Sequence, residues 1–130
     1  MPKVDNKLAN LEKGLASLVR FTGIEKPSEV ERAGIIQAFE YSYELIWRAL
    51  KAYAEDQGLS APSPRSAFKA GFQLGVIREE KIWLDVLEAR NLTTHTYQED
   101  VAKDIYERVV KKFVPEFKNV LAGLKNRARQ

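Results

Sequence analysis

The stretch between Ser28 and Gly58 does most to decide what this chain can fold into. Ile35, Ile36, Phe39, Tyr43, Ile46, Trp47, Leu50 and Tyr53 recur at spacings of three and four, the stripe of one helix face. Ser28-Glu-Val-Glu31 has the capping-box pattern, in which the serine and the second glutamate satisfy backbone amides reciprocally. Gly58 supplies the C-terminal stop. A helix of this length spans about 40 Å, and its apolar face is covered only by other helices of comparable length.

The remaining sequence supplies them. Leu8, Leu11, Leu15, Leu18 and Val19 predict a first helix from about Asp5 to Phe21, capped by Asp5 or Asn6 and ended by Gly23. The loop from Leu59 leads to a short helix with Ser63 as cap and Pro64 at its first position. That helix carries Ala67, Phe68, Ala70, Gly71, Phe72 and Leu74 and stops at Gly75. Another begins between Arg78 and Glu80, with Ile82, Trp83, Val86, Leu87 and Ala89 facing inward. Thr96-Tyr-Gln-Glu99 is a second capping-box pattern, so a last helix is expected just after His95. Its inner face is Val101, Ile105, Val109, Phe113, Phe117, Val120, Leu121 and Leu124, with a bend at Pro115. No alternating strand pattern occurs. The expected fold is all-α: an antiparallel up-and-down four-helix bundle with one short extra helix, a single domain over residues 1–130 with a basic tail from about 125 to 130.

Composition excludes whole classes of function. The chain has 130 residues and no cysteine, which removes disulfides and thiolate metal sites. No apolar run approaches the roughly 20 residues needed to cross a bilayer, and Met-Pro-Lys-Val-Asp-Asn-Lys at the start lacks the apolar centre of a signal peptide. A cytoplasmic protein without a membrane role is expected. The net charge of +3 is mild, and Lys118, Lys125, Arg127 and Arg129 hold much of the excess. The seven glycines are scattered rather than gathered in a phosphate loop, and one histidine does not build a zinc site, so neither a metal nor a cofactor is expected. The aromatics Phe39, Tyr41, Tyr43, Trp47 and Tyr53 could stack bases, but at helical spacing they suit the core. Tyr43 and Trp47 also suit a subunit interface, because a buried polar tip needs a partner.

What remains for chemistry is Glu88-Ala-Arg-Asn-Leu-Thr-Thr-His-Thr-Tyr97, which holds the only histidine. His95 supplies an imidazole, a side chain suited to shuttling a proton. Arg90 carries a permanent forked charge suited to a phosphate and its transition state, and Asn91 can orient an imidazole or a hydroxyl. This set can support metal-free RNA cleavage by the adjacent 2′-hydroxyl. One histidine does not easily serve as both base and acid, so the chemistry calls for two copies of the set about a dimer axis. The structural alternative is that Arg90 and His95 only finish a helix, with Glu88, Glu99 or Asp100 as the ion-pair partner of Arg90.

Arg90-Asn-Leu-Thr-Thr-His95-Thr-Tyr97 resembles the Arg-x4-His-x-Tyr signature of HEPN proteins, and of HepT toxins in particular. Gln37-Ala-Phe-Glu-Tyr-Ser-Tyr-Glu-Leu-Ile-Trp-Arg-Ala-Leu-Lys51 is similar to the matching helix of the nucleotidyltransferase substrate-binding proteins, a branch of the same superfamily. Ser63 to Phe72 and Trp83 to Asn91 fit that branch too, so the resemblance covers nearly the whole chain. It implies a homodimeric bundle that acts as a metal-independent ribonuclease toxin, paired with a separate MNT-type nucleotidyltransferase antitoxin. It also implies that Arg90 and His95 are catalytic with Asn91 in support, and that the partner adds AMP to Tyr97. The other role implied by the branch is a non-catalytic subunit that shapes the acceptor pocket of a two-protein nucleotidyltransferase. Retention of Arg90, His95 and Tyr97 together favours the toxin.

Overall fold

The computed structural model describes residues 2–129. Six α-helices follow in order: α1 (Pro2–Thr22), α2 (Glu29–Asp56), α3 (Pro64–Gln73), α4 (Glu80–Leu92), α5 (Glu99–Arg108) and α6 (Val114–Ala128). A 3-10 turn, Thr93–His95, follows α4, and a π-helical turn, Val109–Phe113, joins α5 to α6 into one rod. The four long members are therefore α1, α2, α4 and the α5–α6 rod, with α3 as the short extra helix. This is the expected all-α bundle.

Helix α2 is its spine, packing on α1, α3, α5 and α6, while α4 lies against α3, α5 and the π-helical turn. Its start follows the sequence pattern: Ser28 Oγ accepts from the Glu31 amide at 3.1 Å, and the Ser28 amide donates to Glu31 Oε1 at 2.9 Å. Its end is a Schellman motif. The Gly58 amide donates to Glu55 O at 3.0 Å and the Leu59 amide to Ala54 O at 2.9 Å. The φ of +87° that this requires at Gly58 is readily reached only by glycine.

Helix α1 begins a turn earlier than its polar residues suggest. Pro2 opens it, Asp5 lies in its first turn rather than at the cap, and Val4 is buried as the first step of the stripe Val4, Leu8, Leu11, Leu15, Leu18. Gly14 marks where α1 and α2 come closest: a Cβ there would stand 2.5 Å from Leu45 Cδ1. Ser42 Oγ donates to the Gly14 carbonyl across the same contact at 3.5 Å.

The aromatic core closes on itself. Phe39 stacks near Phe117 (ring centroids 6.1 Å apart), Phe117 on Trp83 (5.4 Å), Trp83 against Phe68 (4.8 Å), Phe68 against Tyr43 (5.9 Å), and Tyr43 returns to Phe39 (6.4 Å). Five rings from α2, α3, α4 and α6 thus lock one another, each tilted or stacked pair adding about 0.5–1.5 kcal/mol beyond area burial. Tyr43 is consequently a core residue of its own chain rather than an interface anchor, and the Trp47 indole is satisfied locally by Glu44 Oε2 at 3.0 Å.

The rod continues across Pro115, which sits in the first turn of α6. Ile105, Val109, Phe113 and Phe117 are spaced four apart three times running, and all four have no exposed surface. On a plain α-helix three such steps drift by about 120° around the axis. The wider winding of the π-helical turn takes up that lag and keeps the four residues on one face.

Candidate functional site

Helix α4 delivers the polar stretch. Its last turns bring Arg90 and Asn91 to the end of the bundle, and three threonines then finish the helix. Thr93 Oγ1 donates to Arg90 O at 2.6 Å, Thr94 Oγ1 to Asn91 O at 3.2 Å, and Thr96 Oγ1 to Thr93 O at 3.2 Å. These hydroxyls satisfy carbonyls that a helix end leaves without partners. Thr96 is thereby turned backward and does not cap the next helix. Helix α5 starts at Glu99 with Gln98 as an N-cap whose side chain makes no capping bond, so the capping box read at Thr96–Glu99 does not form.

The tightening into a 3-10 turn changes which residues share a face. On a continuous α-helix Asn91 and His95 lie about 40° apart, whereas three residues per turn after Leu92 widens this to about 100°. By the same ideal winding Arg90 and His95 stand about 160° apart, and among the described residues no hydrogen bond joins them. The structure does bring His95 and Tyr97 together. His95 Nδ1 is 3.5 Å from Tyr97 Oη, with the rings edge to face at 6.0 Å. Gln98 Nε2 donates to the same hydroxyl at 3.4 Å. His95 and Asn91 are exposed, and Tyr97 is 78% exposed.

Arg90 faces the other way, towards α2. Its Nη1 donates to Thr93 Oγ1 at 3.0 Å and lies 3.8 Å from Glu40 Oε2. The guanidinium carbon sits 5.9 Å above the centre of the Tyr43 ring, a cation–π arrangement. Nε is enclosed without a hydrogen-bond partner, although 31% of the side chain stays open to solvent. Burial raises the Tyr43 phenol above its ordinary value and the Glu44 charge adds to this, while the Arg90 charge opposes both. Glu40 is the residue that sequence reasoning missed. The acidic neighbours expected for Arg90 are engaged elsewhere: Glu88 with Arg108 at 3.0 Å, and Glu99 with Arg32 at 3.9 Å and Lys103 at 3.3 Å. Among the described residues Asp100 makes no ion pair.

The Glu88–Arg108 bond fastens α5 beneath α4. Burial works against the Arg108 charge, but hydrogen bonds and charges from Glu88 and Asp104 outweigh it and hold the guanidinium protonated. A separate open groove of about 620 Å³ lies beyond the other end of α4. Arg78, Glu79, Asn119, Asn126 and Arg127 provide its polar walls, and Val76 and Gly123 part of its apolar surface. Lys125, expected at the start of the basic tail, is helical and bonds Glu12 of α1 at 2.6 Å. No helix is long and apolar enough to cross a membrane among the described residues.

The bundle carries Arg-x4-His-x-Tyr running off the end of its fourth helix. The sequence matches the family described as "Nucleotidyltransferase substrate binding protein like" over residues 6–126, and the chain belongs to that family. A curated relative from Haemophilus influenzae, "Probable ribonuclease HepT", is 27% identical over 82 residues. That match covers 59% of this chain and 56% of the relative, so the chain spans little more than half the length of the curated protein it matches. The crystal structure of ttk003001694 from Thermus thermophilus is 36% identical, with a TM-score of 0.77 over 92% of this chain and 99% of that one. The tri-AMPylated HEPN toxin of Shewanella oneidensis, solved in complex with an MNT antitoxin, shares the fold at 18% identity. Its TM-score is 0.77 over 97% of this chain and 98% of that chain.

Proposed function

We propose that this chain is the toxin of a two-component HEPN/MNT system: a metal-independent endoribonuclease restrained by a partner nucleotidyltransferase that adds AMP to Tyr97. The observation that carries the reading is the contact between His95 and Tyr97 at an exposed turn directly after Arg90. A phosphate esterified to the Tyr97 oxygen would bring charge and bulk to the imidazole itself.

In this reading Arg90 neutralises the scissile phosphate and its transition state. His95 accepts the proton of the RNA 2′-hydroxyl as that oxygen attacks the adjacent phosphorus, and Asn91 supports the arrangement. The P–O5′ bond breaks, leaving a cyclic phosphate and a 5′-oxygen that must be protonated. His95 of a second copy supplies that proton, so the working species is a cytoplasmic homodimer with a composite site and no cofactor. Because Arg90 and His95 of one chain point apart, a dimer that places Arg90 of one copy beside His95 of the other also resolves the geometry of the monomer. Control by the partner follows as transfer of AMP from ATP to the Tyr97 oxygen with loss of pyrophosphate.

The purified chain is expected to cleave RNA in chelator-containing buffer, and Arg90→Ala and His95→Ala to abolish cleavage while keeping the helical signal. Undiminished activity in both variants would sink the enzyme reading. Co-expression with the partner is expected to shift the mass by whole AMP units, and Tyr97→Phe to remove the shift.

The groove at Arg78 and Arg127 favours a second reading, in which the bundle is the substrate-binding subunit of a two-protein nucleotidyltransferase. Its polar walls could receive an acceptor molecule. That reading gains if the partner transfers nucleotide to a small molecule only in the presence of this chain, and loses if transfer goes only to Tyr97.

A further inference from the structure

We infer that Glu40 is a positioning residue for Arg90, which rests on the reading of Arg90 as the phosphate-neutralising group. Three groups hold the guanidinium. The Thr93 hydroxyl takes a hydrogen bond from Nη1 at 3.0 Å, Glu40 Oε2 stands 3.8 Å from the same nitrogen, and the Tyr43 ring lies under the central carbon at 5.9 Å.

Glu40 and Tyr43 are one turn apart on α2, so a single helix face presents a charge and a ring together. That face is anchored by the buried Phe39 and Tyr43 within the closed aromatic core. At 3.8 Å the carboxylate exerts a Coulombic hold rather than a short hydrogen bond. The hold suits an arginine that must be aimed yet remain able to turn its fork to an incoming phosphate. The enclosed, unpartnered Nε fits the same picture: burial costs it a bond with water, and the three contacts at the tip keep it there. Glu40 is half-buried and does not itself reach out with His95 or Tyr97. Its part is to aim Arg90.

The test uses the full chain, purified without a partner, and a single-stranded RNA oligonucleotide carrying a fluorophore and quencher. Glu40→Gln removes the charge at nearly constant size. Its kcat is expected to fall at least about tenfold with KM within about twofold, the scale on which a small misplacement of a reacting group acts. Glu40→Asp keeps the charge and is expected to stay within about threefold of the parent. NMR of nitrogen-labelled arginine gives a readout that foldedness alone would not move. The Arg90 guanidinium protons are expected to be resolved by hindered rotation in the parent and averaged in Glu40→Gln, with other arginine signals unchanged. Parental cleavage by Glu40→Gln, an equal fall in Glu40→Asp, or an unchanged Arg90 signal in Glu40→Gln would each overturn the proposal. If the parent itself cleaves no RNA, the ribonuclease reading falls, and the NMR comparison alone decides whether Glu40 holds Arg90.

Discussion

Replacing Thr93 by valine tests how the end of α4 is built. Valine keeps the shape and the β-branch but deletes a hydroxyl that works in both directions, donating to Arg90 O at 2.6 Å and accepting from Arg90 Nη1 at 3.0 Å. Thr93 is 8% exposed, so water does not freely replace it. The carbonyl bond is worth about 1 kcal/mol. The bond from the charged nitrogen would be worth more if sealed, but Arg90 is partly open to solvent and keeps Glu40, which reduces its loss to about 0.5 kcal/mol. The expected destabilisation is about 1.5 kcal/mol, or about 5 °C in Tm for a chain of this size. Thermal denaturation followed by circular dichroism measures it. Repeating the substitution in an Arg90→Met background isolates the side-chain bond, and there Thr93→Val is expected to cost about 0.5 kcal/mol less. A Tm within about 1 °C of the parent, or a strictly additive pair, would refute this account of the helix end.

Two further outcomes follow from the core. Phe39→Ala empties the position on which Phe113 and Phe117 stack, at 5.5 and 6.1 Å, and is expected to cost about 3–5 kcal/mol by urea denaturation, with loss of cooperative unfolding if the chain cannot bear it; a loss below about 1.5 kcal/mol would show that the aromatic ring is not the centre of stability. The raised Tyr43 phenol contributes stability that is fully present below its ordinary value of 10.0 and is lost as pH rises through its higher folded value. Tyr43→Phe is therefore expected to flatten the fall of Tm above about pH 10, and an unchanged alkaline slope would assign that fall to other groups.

The long-range order of the bundle could be read because it rests on local patterns that agree with one another. The capping residues Ser28 and Ser63, the stops at Gly58 and Gly75, and the stripe of α2 all formed as their spacing predicts. The motif carrying Arg90, Asn91, His95 and Tyr97 was visible too, but its geometry was not. Thr96 has the same sequence signal as a true N-cap, and only the competing carbonyls at the end of α4 decide that its hydroxyl turns back. Glu40 was invisible for a different reason. It lies fifty positions before Arg90, and no periodicity in one helix says which residue of another its end will face. The need for glycine at position 14 is likewise set from another helix, by Leu45 pressing on it.

The π-helical turn at Val109–Phe113 has a consequence for how the chain can change length. Removing or adding a residue elsewhere in the α5–α6 rod swings everything after it by about 100° about the axis, taking Phe117, Val120 and Leu124 out of the core together. The widened turn already stores one residue beyond the α-helical count. A single deletion among Val110, Lys111 and Lys112, which project away from the fully buried face, converts that turn to ordinary winding while the helices on either side keep their orientation. The rod therefore has one place where its reading frame can slip, and it lies between the half that supports the Arg90 turn and the half that closes the bundle.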